Sequence, residues 1–360
     1  MAHGLPASGP GGRRGAAPPA AQASGAAPAQ TEGTPMLRRT LLSAAALSLA
    51  APSVLRAQAG PWPNRPVRII NPYAPGGASD IIVRPITEAL ERAFGRPFVV
   101  DNRAGAGGTV GTAAAALERP DGHTLLVSNT GPLAIAPSLF PNLAYDPGKA
   151  FSWIAMLAGA PIVCAVKGDG PYRTTRDYLA AAKAKPEAVS YGSSGVGSLG
   201  HLTGVLFGLE TGAQLLHVPF RGAGEAQQAV LSGNTDGLWD TVGANAAAIR
   251  AGSLRGLGLS SEARMAAVPD VPTLVEQGFP AMVAINWFLL AAPAGLDPEI
   301  AARLRAAVQE ALGAPAAKER LEGSGIVSLG NPGAEAIGGF VAQEAERWGR
   351  VVRTAGVKPA

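Results

Sequence analysis

Glycine, serine and histidine are concentrated in residues 189–204, which read VSYGSSGVGSLGHLTG. Gly195, Gly197 and Gly200 have the spacing G-x-G-x-x-G, which in dinucleotide-binding proteins lets a turn of backbone approach a pyrophosphate. A predicted strand precedes the motif, a predicted helix follows it, and Arg221 lies about 20 residues further on, where an NADP-binding arginine can stand. One interpretation is therefore an NADP-dependent oxidoreductase that uses the 195–200 loop.

Other features of the sequence weigh against redox chemistry. The first motif glycine comes four residues after Tyr191 instead of directly at the end of the strand. The sequence lacks the G-x-S-x-G, H-E-x-x-H and P-loop patterns that mark common catalytic sites. We therefore predict no catalytic residue, no cofactor and no metal site.

The same residue types suit the capture of an anion without chemistry. The first N–H groups of a helix have no partner within the helix and lie at its positive end, so they favour a negatively charged ligand. Glycines let the backbone approach the ligand, and serines add hydroxyl donors. Two such turns precede predicted helices in separate halves of the chain, at residues 75–80 and 192–201. If both face one cleft, they can hold a carboxylate between them; each also fits a plain helix entry.

Short apolar strands alternate with amphipathic helices around these turns. Predicted strands cover residues 67–70, 98–100, 123–127, 162–166, 188–191, 215–218 and 237–241. Predicted helices include 82–94, 174–185, 202–210 and 225–231, one that starts at Asp297 and a final one around 337–348. Pro85 is expected to kink the first helix or delay its regular part. The alternation predicts an α/β fold with mixed, mostly parallel sheets flanked by helices, in which ligands bind at the carboxyl ends of the strands.

Charge is distributed unevenly along the chain. The net charge of +4 comes from the first 59 residues, which hold five arginines and one glutamate. The remaining body has no charge excess, so it offers no electrostatic reason to bind nucleic acid. Cys164 lies alone in an apolar run and is predicted to be a buried packing residue.

The first 59 residues have the composition of a leader. Residues 1–35 are mostly Ala, Gly and Pro and are predicted to be disordered, and Met36 is a candidate for the true start of translation. Residues 36–59 have a basic start, an apolar stretch and a small-x-small site ending at Ala59, which predicts a cleaved secretory signal peptide. Arg38 and Arg39 fit either the twin-arginine route or an ordinary signal.

The order and spacing of several segments resemble one family. These segments are WPNRPVRIINPYAPGGASDIIVRPI, VVDNRAGAGGTVG, PDGHTLLVSN, YDPGKAF, YGSSGVGSLGHL, HVPFRG, PDVPTLVEQGFP and WFLLAAPAG, spread from about Trp62 to Gly356. The chain is similar to the periplasmic solute-binding proteins of tripartite tricarboxylate transporters, the Bug family. The resemblance implies a two-lobed type II periplasmic binding protein with the ligand cleft between the lobes. Lobe one is then 60–159 plus 288–360, and lobe two is 160–287, with crossovers near 158–161 and 285–288.

The resemblance also implies which residues hold the ligand. Family members bind a carboxylate with main-chain amides and hydroxyls of two turns, partly through ordered water. Carried over by position, the ligand-binding residues are Gly76, Gly77, Ala78, Ser79, Ser193, Ser194, Ser198 and His201. Ser128, Asn129 and Thr130 are further contributors, and Asp80 is expected to order its own turn. Asp240 resembles the position that faces the far end of the ligand.

Plainer roles remain open for some of these residues. His201 also fits a helix cap, Asp240 a strand–turn junction, Arg221 a solvated rim charge and Trp287 a packing residue. Taken together, the resemblance implies a monomeric receptor that captures a di- or tricarboxylate, an acidic amino acid or an aromatic acid. Its partner is then a membrane permease of the tripartite type. An accessory protein that reports a ligand to a signalling kinase is a third interpretation.

Overall fold

Nine strands and eleven helices form the part of the chain that the computed structural model describes, residues 61–330 and 332–359. The predicted disordered segment 1–35 and the predicted signal peptide 36–59 lie outside these residues. The strands are β1 Val67–Asn71, β2 Phe98–Asn102, β3 Thr124–Asn129, β4 Phe151–Lys167, β5 Ser190–Ser193, β6 Leu216–Pro219, β7 Gly237–Thr241, β8 Leu254–Leu259 and β9 Ile285–Pro293.

The strands form a mixed sheet in the order β2-β1-β3-β9-β4-β7-β5-β6, with β8 also paired to β4. Strands β1, β2 and β3 run parallel to one another, and so do β5, β6 and β7. The pairs that join these two groups through β9 and β4 are antiparallel. The sheet therefore has two parallel halves connected by two antiparallel central strands.

Strand β4 extends over 17 residues, Phe151–Lys167, whereas the sequence predicted a strand over 162–166 alone. Its first part pairs with β9 and its second part with β7 and β8. Nearly all of it is buried, so its sequence does not alternate between apolar and polar residues as a half-exposed strand does. The register with β9 shifts twice, between Trp153 and Ala155 and between Met156 and Ala158.

Helices flank both halves of the sheet. They are α1 Ala78–Phe94, α2 Thr109–Ala116, α3 Ala136–Leu139, α4 Pro147–Ala150, α5 Thr175–Ala184, α6 Leu199–Thr211, α7 Ala223–Leu231, α8 Val242–Arg250, α9 Pro298–Gly313, α10 Pro315–Gly323 and α11 Ala334–Ala355. A 3₁₀ turn, Ala106–Gly108, precedes α2, and a π-helical turn, Gly131–Ile135, precedes α3. Helix α1 starts earlier than predicted and continues through Pro85.

Local capping explains several helix starts. The Asp297 side chain accepts a hydrogen bond from the Glu299 N–H, so α9 begins where the sequence predicted. Thr174 and Asp177 form a reciprocal capping box at the start of α5.

Helix α11 holds the two central strands in place from one side. It packs against β4, α6 and the π-helical turn. On α11 the buried Glu344 accepts hydrogen bonds from the indole N–H groups of Trp287 in β9 and Trp348, each at 3.1 Å. Within the described residues, no helix combines the length and the apolar character needed to cross a membrane.

Candidate functional site

A cavity lies between the two parallel halves of the sheet. Residues from both halves and from the central strands line it: Tyr73, Ala74, Gly77, Ala78, Ser79, Asn129, Ile162, Ser194, Ser198, Leu199, Gly200, Ala223, Asp240, Thr241, Asn286 and Phe288. Strands β3, β5 and β7 end beside it, as expected for a site at the carboxyl ends of parallel strands.

Four helices begin at this cavity. Its lining includes the first residues of α1, α6 and α7 and the residue that immediately precedes α8. Among the described residues, no side chain caps the N-termini of α1, α7 and α8, whereas Ser198 caps α6. The cavity therefore faces the positive ends of four helix dipoles, and three of these helices begin without a side-chain acceptor for their first N–H groups.

The first predicted turn lies partly at the cavity. Gly77, Ala78 and Ser79 line it, whereas Gly76 is exposed and has a φ of +91°. Asp80 Oδ2 accepts hydrogen bonds from Arg84 Nε at 2.9 Å and from the Gly76 N–H at 3.4 Å. Asp80 thus contacts its own turn and lies outside the cavity lining.

Of the three predicted residues at the end of β3, Asn129 lines the cavity. Its Oδ1 accepts from the Tyr73 hydroxyl at 3.0 Å and from the Gly131 N–H at 3.2 Å. The Ser128 hydroxyl faces Thr112, and the Thr130 hydroxyl accepts from the backbone N–H of Trp287. Ser128 and Thr130 therefore support the site without lining it.

The second predicted turn contributes Ser194 and Ser198 to the lining. Ser198 is the N-cap of α6 and accepts from the His201 N–H. Ser193 and His201 lie behind the turn. Ser193 Oγ is 2.7 Å from His217 Nε2, and the rings of His201 and His217 stack with their centroids 3.9 Å apart.

The stacked histidines are held neutral. Burial lowers the pKa of His201 from its usual 6.5 to about 4. Burial and the neighbouring His201 lower the pKa of His217 to about 3. His201 Nδ1 accepts a hydrogen bond from the Gly197 N–H. The pair therefore supports the turn by stacking and hydrogen bonding, without a positive charge.

Asp240, at the end of β7, is 4% exposed and lines the cavity. Its Oδ2 accepts from the Ser194 hydroxyl at 2.5 Å, and its Oδ1 accepts from the Thr241 N–H at 2.7 Å. Burial raises the pKa of Asp240, although these hydrogen bonds lower it.

Sequence reasoning missed several residues of the lining. Tyr73 donates to the Gly107 carbonyl at 2.8 Å as well as to Asn129. Asn286 and Phe288 come from β9, and the buried Asn286 Oδ1 has no hydrogen-bond partner in the described part of the chain. The resemblance implies a crossover in this segment, but its pairing with β4 is not visible in a sequence. Tyr73 lies just before the first turn, residues 75–80, and this position in the sequence is what could have marked it as a residue of the cavity.

The two halves also touch beside the cavity. Gly107 lies against the backbone of Val196, and Gly131 lies against the carbonyl of Gly197. A Cβ on Gly107 would lie 2.2 Å from the Val196 carbonyl oxygen and one on Gly131 would lie 3.0 Å from that of Gly197, so the two halves meet backbone to backbone.

The glycines of the G-x-G-x-x-G motif are packed against protein. A Cβ on Gly195 would meet Gly107, one on Gly197 would meet Leu139, and one on Gly200 would lie 2.0 Å from the Trp239 carbonyl oxygen. These glycines therefore let neighbouring protein approach, which disfavours the dinucleotide interpretation.

Arg221 is exposed, and its backbone N–H donates to Glu225.

Other chemistry is not apparent in the described residues. They contain no cluster of three or more His, Cys, Asp or Glu side chains placed to bind a metal. Cys164 is fully buried, and burial raises the pKa of its thiol, which makes it unreactive.

The fold and the cleft define a periplasmic binding protein of the two-lobed type II class. Solved structures agree. A structure of the periplasmic binding protein BugD has a TM-score of 0.78 at 29% identity, covering 82% of this chain and 99% of that one. MatC from Rhodopseudomonas palustris with bound malate has a TM-score of 0.77 at 32% identity, covering 81% and 100%. R. palustris Rpa4515 with adipate has a TM-score of 0.79 at 29% identity, covering 83% and 100%.

Sequence comparison identifies the family. The sequence model of the family described as tripartite tricarboxylate transporter family receptor matches residues 82–357. The chain is also 36% identical to protein BugT of Bordetella pertussis over 82% of its own length and 91% of that protein. The chain belongs to the tripartite tricarboxylate transporter receptor family, as its sequence motifs predicted.

Proposed function

We propose that the protein is a non-enzymatic periplasmic receptor that closes around a small carboxylate and delivers it to the membrane permease of a tripartite transporter. The observation that carries the proposal is the convergence of four helix N-termini from both halves of the fold on one cavity. Malate and adipate, the ligands of two related structures, are the first candidates.

The proposed lobes follow the sheet. Strands β1 to β3 belong to lobe one, residues 60–159 plus 288–360, and β5 to β8 belong to lobe two, residues 160–287. The predicted crossovers lie in β4 and β9, where Gly159 is opposite Trp287 and Ala160 is opposite Asn286. Two adjacent crossing strands form a hinge about which the lobes open and close.

The proposed ligand contacts are the residues of both turns that line the cavity. The N–H groups of Ala78 and Ser79 supply donors to a carboxylate, and so does the Ser198 hydroxyl when it turns from Ser193 Oγ, to which it donates at 3.3 Å. Asn129 and Asp240 face the rest of the ligand. Gly76, Asp80, Ser128, Thr130, Ser193 and His201 support these contacts from behind. Phe288 and Ile162 supply an apolar wall for the carbon chain.

A thermal-shift assay with malate, adipate, citrate, glutamate and benzoate tests the proposal, with NADP as the competing ligand. A ligand at 100 times its Kd adds about 2.7 kcal/mol to the free energy of unfolding, which raises Tm measurably. Stabilisation by NADP and by none of the acids would overturn the proposal.

A blocking variant locates the site. Ala74 lies at the rim of the cavity, and Ala74→Phe fills it. Ala93→Phe places the same side chain on the exposed face of α1. We expect Ala74→Phe to lose the carboxylate-induced shift and Ala93→Phe to keep it.

A further inference from the structure

The cavity holds a negative group where an anion is proposed to bind. Among the described residues that line it, Asp240 is the one carboxyl group, and none is Lys, Arg or His. An ionised Asp240 would repel a carboxylate ligand, and apart from the helix dipoles no positively charged side chain of the lining offsets this repulsion.

The hydrogen bond between Ser194 and Asp240 determines whether the Ser194 hydroxyl can donate to a ligand in the cavity. An ionised carboxylate only accepts hydrogen bonds, so the Ser194 proton is then committed to Asp240 Oδ2, and Ser194 presents lone pairs to the ligand. A protonated carboxyl donates instead. Asp240 Oδ2–H then donates to Ser194 Oγ, and the serine hydroxyl is free to donate to a carboxylate.

The other oxygen of Asp240 fixes the position of this proton. Oδ1 accepts from the Thr241 N–H at 2.7 Å and faces the Thr241 hydroxyl at 3.3 Å. A backbone N–H cannot reverse its direction, so Oδ1 remains an acceptor. The proton therefore belongs on Oδ2, against Ser194.

We propose that Asp240 takes up one proton when the cleft binds an anionic carboxylate, and that this proton turns Ser194 into a donor toward the ligand. The proton comes from solvent and stays on Asp240 Oδ2 until the ligand leaves; no covalent bond forms or breaks in the ligand. This inference rests on the proposed function and adds that the receptor binds the acid together with a proton.

The surroundings of Asp240 are consistent with this proton. Burial raises the pKa of Asp240, although hydrogen bonds from the Ser194 and Thr241 side chains and backbone N–H groups lower it, and a bound anion raises it further. The titratable groups on the segments packed against β7 are Cys164, Tyr191 and His201, which are neutral at pH 7, and the exposed Lys167, Glu210, Glu225 and Arg250. Tyr73, which lines the cavity with Asp240, is also neutral at pH 7. No buried cation among these groups replaces the proton.

Isothermal titration calorimetry of the purified protein with malate and with adipate tests the inference. Above about pH 7 both acids are fully ionised, so protons taken up on binding go to the protein. Titration in two buffers of different ionisation enthalpy is expected to give about one proton taken up per ligand. Kd is expected to weaken about tenfold per pH unit above the pKa of Asp240.

Asp240→Asn is the diagnostic variant, because its amide N–H₂ donates to Ser194 as the protonated carboxyl would. The variant is expected to bind without proton uptake and with a pH-independent Kd. Binding by the natural protein with no proton uptake would overturn the inference and leave the proposed function standing. Proton uptake by Asp240→Asn equal to that of the natural protein would also overturn the inference and leave the proposed function standing. If neither malate nor adipate binds, the same titration is made with whichever acid of the thermal-shift panel stabilises the protein; no binding of any acid on the panel would overturn the proposed function as well. If the variant does not fold, the number of protons that the natural protein takes up per bound ligand decides whether the inference holds.

Discussion

A Cβ atom on Gly107 would lie 2.2 Å from the carbonyl oxygen of Val196. Gly107 precedes α2 in one half of the fold, and Val196 lies in the turn before α6 in the other. Their contact brings the two halves together beside the cavity, and it requires that residue 107 have no side chain.

Gly107→Ala is therefore expected to hinder closure and to weaken ligand affinity about tenfold, or about 1.4 kcal/mol. Gly95→Ala is a matched control, because Gly95 has nearly the same φ, +64° against +62°, with nothing within 4 Å of an added Cβ. Both variants carry the strain of a left-handed residue, about 1–2 kcal/mol in unfolding. Calorimetry should find weaker binding in Gly107→Ala alone; equal affinities would show that the contact does not limit closure.

Ser198→Ala is expected to lower the free energy of unfolding by about 1 kcal/mol, because it removes the cap of α6. Ligand binding should weaken too, since Ser198 lines the cavity. Thr174→Ala removes a comparable cap from α5, outside the cavity. Urea unfolding should give similar losses for the two variants, while Kd changes only in Ser198→Ala. An unchanged Kd in Ser198→Ala would place Ser198 outside the binding site.

The stacked pair His201 and His217 predicts acid sensitivity. Their pKa values in the folded protein, about 4 and about 3, lie below the usual 6.5, so the unfolded chain binds more protons between these limits. The free energy of unfolding should therefore fall as the pH drops from about 6.5 to about 3. Below about pH 3 both histidines are protonated in the folded protein too, so they cause no further loss. Above pH 7 the contribution is constant.

His217→Gln keeps a polar partner for Ser193 and removes one titrating group. Urea unfolding at a series of pH values should show a shallower decline for this variant than for the natural protein. An unchanged decline would mean that carboxyl groups, and not this pair, govern the acid sensitivity.

Glu344→Gln is expected to lower the free energy of unfolding by about 1–3 kcal/mol, because the two buried indole N–H groups exchange a carboxylate acceptor for a weaker amide oxygen and the ion pair with Arg347 is lost. Glu346→Gln on the same helix is the control. Glu346 is exposed and pairs with Arg350 at the surface, so its loss should cost less than about 1 kcal/mol. Chemical unfolding of both variants measures the difference; similar losses would contradict the role given to Glu344.

Local features were predictable from the sequence. The start of α9 follows from Asp297, Pro298 and Glu299, which need no distant partner. Strand β7 has the predicted bounds, 237–241, because a short apolar run ends there before a helix. The two turns were recognised from glycine and hydroxyl residues next to helix starts.

Features that depend on distant pairing were not predictable. The first half of β4 is buried on both faces and lacks the alternation that marks a strand. Asn286 and Phe288 reach the cavity because β9 pairs with both β3 and β4. The bond between Ser194 and Asp240 joins residues 46 positions apart, and its direction depends on a proton that no spacing reveals.

Strand β4 has one further consequence. Since β4 pairs with β7 of one parallel group and with β9, which in turn pairs with β3 of the other, cutting the chain near residue 160 would leave each fragment with a severed central strand. Neither piece would be a self-sufficient folding unit, although each carries one side of the ligand cleft. A gene fusion or split-protein sensor made from this receptor should therefore be joined at surface loops, with β4 left intact.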